Sequence, residues 1–267
     1  MIVDGHCHAG PGDLLTGPWD TSAPLGAYMR RAAEAGIKKT IVFAPFHSDN
    51  HVANANTARI VERSPGRLIG FAFVNTRADR GRIGHLVEEA VRKYDFRGIK
   101  AHRAHGGPVT RELCDVARAF GMPVLFDVAG KPEVIDLLAP QYRDVSFIVP
   151  HLGSFADDWN AHIRVTDQIT RHPNVYADTS GVRRFDYLVD AVKRGAVRKL
   201  IFGSDGPWLH PGLELVKIRL LRLAREDEAA VCGGTILSLL RGAKERSLFC
   251  GRADQRHVIL SQPSRIV

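Results

Sequence analysis

Residues Gly98–Asp127 read GIKAHRAHGGPVTRELCDVARAFGMPVLFD, and this stretch decides the fold. It opens with an apolar run, Gly98–Ala101, and closes with another, Val124–Asp127. Between them, Arg111 to Phe120 carries apolar residues at helical spacing, and Gly121 and Pro123 stop it. Strand, helix and strand within thirty residues make one βαβ unit, whose two strands must be parallel. Working outward, similar runs occur at Ile2–Asp4, Thr40–Ala44, Leu68–Val74, Ser146–Val149, Val175–Ala177 and Leu200–Gly203. Most are continuously apolar, as expected of parallel strands covered on both faces. Helical patterns recur at Leu25–Ala35, Ile83–Tyr94 and Phe185–Arg194. Eight such units predict an α/β fold, a single (β/α)8 TIM-type barrel. The open doubly wound sheet is the rival, but no glycine-rich dinucleotide turn follows the first run. Leu213–Leu223 and Ala229–Leu240 predict a C-terminal helical extension.

Composition fits this reading. The chain has 267 residues, 45% hydrophobic and 25% charged, enough for one large core. Four scattered cysteines with no Cys-x-x-Cys pair exclude a disulfide scaffold and a thiolate zinc ribbon. No apolar run approaches the roughly 18 residues of a membrane span. The start Met1-Ile2-Val3-Asp4 has no basic region followed by an apolar one, so no secretory signal is expected and the cytoplasm is the expected location. The net charge is +8, and residues 241–267 carry six basic against two acidic side chains. The expectation is a barrel over residues 1–240 and a basic, poorly ordered tail over 241–267. Half the charge excess is thus local, and nucleic acid is not expected as a partner. A small-molecule substrate is expected, and a homodimer.

In a barrel, function collects where the strands end. The first run ends Asp4-Gly5-His6-Cys7-His8, and alternation places His6 and His8 on one face with Asp4 one step deeper. Two imidazoles side by side are a ready pair of metal ligands. The fourth run places Lys100 and His102 together. A buried lysine there could carry a carbamate bridging two metals, bind a substrate carboxylate, or simply pair with a core carboxylate. The remaining ends supply Asp127, His151, Asp178 and Asp205. Each alone could be a helix cap or a satisfied core group; their convergence on one mouth points to chemistry. His47 and His51, in a loop after the second run, could also reach it. Arg183 could clamp an anion. Trp159, Trp208 and His210 could form a wall, though packing explains them as well. His85, His162, His172 and His257 read as surface residues.

His6-x-His8, Pro150-His151-Leu152-Gly153 and Gly203-Ser204-Asp205 resemble the amidohydrolase superfamily, in the branch that includes aminocarboxymuconate-semialdehyde decarboxylase. The resemblance runs to about residue 240, where Gly233-Gly234-Thr235 is similar to a Gly-Gly-Asn that closes many such barrels. It implies a divalent metal held by His6, His8 and Asp205, with His151 as a further ligand or a catalytic base. A strand-five histidine is usual in that branch; here the position holds Asp127, an oxygen ligand. Zinc is the first expectation, and an oxygen ligand turns the site towards manganese or iron. The chemistry expected is hydrolysis of an amide, ester or lactone by a metal-activated water, with Asp205 taking its proton and His151 or His102 stabilising the oxyanion. Lys100, His102 and Arg183 are the expected substrate contacts. The alternative is a metal-dependent nonoxidative decarboxylase. A phosphodiesterase ranks lower, because Lys100 and His102 stand where such enzymes carry an acidic residue. The replacement at Asp127 keeps open a metal-free binding module.

Overall fold

The structure is a computed structural model and describes residues 1–15 and 22–241. The expected tail therefore lies outside the described residues, apart from Arg241. Eight parallel strands follow one another around the sheet in chain order. They are β1 (Ile2–His8), β2 (Ile37–Phe43), β3 (Leu68–Val74), β4 (Gly98–His102), β5 (Val124–Asp127), β6 (Phe147–Val149), β7 (Val175–Asp178) and β8 (Leu200–Ile201). The helices between them are α1 (Leu25–Glu34), α2 (Asn50–Glu62), α3 (Ile83–Tyr94), α4 (Arg111–Phe120), α5 (Glu133–Leu138), α6 (Trp159–Arg171), α7 (Phe185–Lys193) and α8 (Pro211–Leu220). This is the TIM barrel expected from the apolar runs.

Two cores hold it. Side chains such as Phe43, Phe71, Leu125 and Ile201 fill the barrel interior. Those pointing the other way, such as Val42, Ala72 and Phe126, pack under the helices. Alternation along each strand explains the division. α4 starts at Thr110, whose hydroxyl accepts the Leu113 N–H, and ends at Gly121 with φ 62°.

Backbone hydrogen bonds close the seam between β1 and the chain after β8. Gly5 donates to Phe202 O at 2.8 Å, Asp205 to His6 O at 2.8 Å, and His8 to Gly206 O at 2.6 Å. At the opposite end, a short helix (Arg225–Ala229) passes through a π turn (Ala230–Gly234) into helix over 235–241. Ile236 and Leu240 from this extension join the interior core and plug the barrel floor. Among the described residues, no helix is long and apolar enough to cross a membrane.

Candidate functional site

The seam delivers His6, His8 and Asp205 to the mouth together. Gly203 permits the approach, since a Cβ there would stand 2.9 Å from His6 Cβ. His6 Nδ1 lies 2.7 Å from Asp178 Oδ2, and His8 Nδ1 lies 3.0 Å from Ala44 O. His151 Nδ1 lies 2.8 Å from Ser180 O. All three partners only accept, so each ring holds a proton on Nδ1 and turns Nε2 to the mouth. His6 Nε2 is buried without a hydrogen-bond partner. It faces Asp205 Oδ1 at 3.3 Å, and His8 Nε2 faces the same oxygen at 3.6 Å. Two ring nitrogens with free lone pairs thus face one carboxylate oxygen, an arrangement that a cation satisfies. Ligands about 2.0–2.2 Å from one ion stand roughly 3.3–3.6 Å apart at a tetrahedral angle, so the spacing suits a metal. His6, His151 and Asp205 form a group whose ligand atoms lie within 4.8 Å of one another. The donor set therefore fits a divalent ion, and Asp178 behind His6 is the carboxylate that orients a metal-binding imidazole.

Burial sets the protonation states. It lowers His6 to about 4, with Lys100 acting in the same direction, and it carries His8 well below its ordinary value. Both rings are neutral, as ligands must be. Burial raises Asp205 to about 7, despite the neighbouring His151 and Lys100. His151 goes the other way: burial disfavours its charge, but Asp127, Asp205 and Asp178 hold it up at about 9. Asp178 would rise on burial, yet His6 and His151 keep it at about 2. Lys100, 1% exposed, is lowered by burial against the pull of Asp127, Asp178 and Asp205. Among the described residues its ammonium makes no ion pair and sits 4.8 Å over the Phe43 ring.

The other candidates divide. Asp127 stands beside the group, 3.5 Å from His151 Nε2 and 3.1 Å from His102 Nε2. Arg183 is largely exposed and pairs with Asp157 at 2.8 Å, on the loop after β6. His51 belongs to α2 rather than to a loop and pairs with Glu89 at 2.9 Å. His47 accepts the Asp49 N–H. Asp4 does not share the histidine face. The β1–β2 register shifts between Asp4 and Cys7, which breaks the alternation and turns Asp4 towards Tyr28 on α1. It still serves the site, because Asp4 Oδ1 accepts the backbone N–H of both His6 and Ser204. His162 and His172 are not surface residues. His162 is fully buried against Tyr187, and His172 pairs with Asp136 at 3.2 Å. Trp208 lies against His8, with ring centroids 4.4 Å apart, whereas Trp159 is exposed. Sequence reading missed Phe155, whose ring meets His151 edge-on at 5.1 Å.

Residues 3–242 match the amidohydrolase family model. The chain belongs to the amidohydrolase family. This agrees with the resemblance carried by the His6, His151 and Asp205 motifs. No curated protein matches this amidohydrolase-family chain. Among solved structures it is similar to 5-carboxyvanillate decarboxylase from Sphingomonas paucimobilis, with TM-score 0.68 and 12% identity over 90% of this chain and 98% of that one. A protein described as a probable 2-pyrone-4,6-dicarboxylic acid hydrolase from Acinetobacter baumannii gives TM-score 0.68 and 13% identity, over 90% and 99% of the two chains. A dihydroxybenzoic acid decarboxylase from Polaromonas, with bound manganese and the inhibitor 2-nitroresorcinol, gives 0.66 and 15%, over 93% and 99%. At these identities the likeness is one of fold, shared by decarboxylases and hydrolases.

Proposed function

We propose that this amidohydrolase-family chain is a metal-dependent hydrolase acting on an amide, ester or lactone of a small organic acid. The observation that carries it is the crowding of the His6 and His8 lone pairs against the Asp205 carboxylate at 3.3 and 3.6 Å. His6, His8 and Asp205 would hold a divalent ion, zinc or manganese, which supplies positive charge that polarises a carbonyl and acidifies a water. Asp205, beside that water, would take its proton. His151, whose ring lies 5.0 Å from that of His6, gives a proton to the leaving group. Lys100 below the site neutralises a substrate carboxylate, and Arg183 contacts the substrate nearer the rim.

One feature favours a second reading. Among the described residues the buried Lys100 makes no ion pair, and a substrate carboxylate held there could instead leave as carbon dioxide. The test is a panel of cyclic and aromatic carboxylates, lactones and amides, turned over by zinc- or manganese-loaded protein in water labelled with oxygen-18. Label in the product with no carbon dioxide release supports the hydrolase. Carbon dioxide release replaces it with the decarboxylase. Wild-type protein that takes up no divalent ion removes both.

A further inference from the structure

Asp127 and His102 are paired in a way that the metal chemistry does not explain. They are direct partners in the β4–β5 ladder. His102 Nδ1 accepts the Ala104 N–H at 3.1 Å, so the ring of neutral His102 carries its proton on Nε2. That nitrogen lies 3.1 Å from Asp127 Oδ2. Asp127 Oδ1 is committed as well, accepting the Ala129 N–H at 2.7 Å. Phe46 meets the His102 ring edge-on at 4.8 Å and 88°, which fixes the ring plane. The tautomer of His102 is thus opposite to that of His6 and His8. Both carboxylate oxygens of Asp127 already hold donors, and Oδ2 confronts His151 Nε2 at 3.5 Å, too far for a strong hydrogen bond and near enough for a charge contact.

We propose that Asp127 lies outside the coordination sphere and is the fixed partner that positions His151, with His102 locking the carboxylate in place. The proposal rests on the reading that an ion sits between His6 and Asp205. It assigns one metal to the site rather than two, with Asp127 and His102 as positioning residues.

The test uses full-length protein labelled with nitrogen-15 at histidine, observed by long-range proton–nitrogen correlation before and after zinc. Without metal, His102 should show the Nε2–H tautomer and His6 and His8 the Nδ1–H tautomer. Zinc should move the Nε2 signals of His6 and His8 and leave His102 unmoved. Calorimetry should give one zinc per chain, and Asp127→Asn should keep it with affinity within about threefold. His102→Leu should shift the His151 signals, and His102→Gln, which still offers an N–H to Asp127, should restore them. A second zinc equivalent, a tenfold or greater loss of affinity in Asp127→Asn, or His151 signals indifferent to His102→Leu would overturn the proposal. Wild type that binds no zinc defeats the metal reading instead, and the metal-free spectra still judge the His102–Asp127–His151 arrangement. If Asp127→Asn fails to fold, the two His102 variants decide the outcome.

Discussion

Asp178 does more for the site than its place at the end of β7 suggests. One carboxylate oxygen accepts the hydrogen bond from His6 Nδ1–H, and the other accepts the backbone N–H groups of His151 and Ser180 and the Ser180 hydroxyl. Asp178→Asn removes the charge that fixes the His6 tautomer. Outer partners of this kind are typically worth 10–100-fold in metal affinity, and that loss is the expected result by calorimetry. A change below threefold would show that His6 needs no such support. Asp205→Asn separates ligation from proton transfer. Asparagine keeps an oxygen for the metal and cannot take a proton near neutral pH. Turnover should fall about 10²–10⁴-fold with KM little changed, while bound metal is largely retained. Near-normal turnover would reduce Asp205 to a structural carboxylate. The His6–His8 pair was legible because an i, i+2 spacing needs only an extended strand. The role of Asp178 was not, because its partner is 172 residues away. Asp4 misled because one irregularity in β1 reverses the side of every residue before it.

Among the elements, β3 and β4 meet through complementary sizes. A Cβ on Gly98 would lie 2.3 Å from Phe71 Cζ, and a Cβ on Gly70 would lie 2.1 Å from Phe96 Cε1. Each ring occupies the space over the neighbouring strand's missing side chain, on opposite faces of the sheet. Gly98→Ala therefore overpacks a wall with no slack. The expected cost is about 1–3 kcal/mol, read as a lower Tm with the fold retained. An unchanged Tm would mean that Phe71 can move aside. Continuous apolar runs made the strands legible, and a strong apolar stripe did the same for α3 and α4. α2 escaped because its buried face is built from Asn50, Ala53, Asn54, Thr57 and Ala58. Asn54 is buried by pairing with both backbone groups of Phe73 in β3, a contact that no hydrophobic period reveals.

For the whole molecule, the barrel needs its C-terminal extension. Ile236 is 1% exposed and Leu240 8%, and both belong to the interior core. A chain ending at Gly234 loses both, at about 1.5–3 kcal/mol each. The expected fall in Tm is on the order of 10 °C. A chain ending at Arg241 should keep the fold, with activity within about threefold. Equal melting of the two truncated chains would show that the floor needs no plug. The extension was legible as helix, but its break at the π turn was not. There Gly233 packs against Met1 O and the Val3 side chain, a contact between the extension and the start of β1.

The seam of the barrel gives the metal a second consequence. Asp4 accepts the N–H of Ser204, 200 residues later, and the proposed ligands His6 and Asp205 flank that same join. An ion shared by His6 and Asp205 would then be a clasp on a ring made of about three quarters of the polypeptide. Closing a flexible loop of that length costs roughly 4–5 kcal/mol of chain entropy, and a clasp keeps it closed. Such an ion would add to the backbone hydrogen bonds that already join the first and last strands, so metal loading is expected to raise the Tm of the barrel.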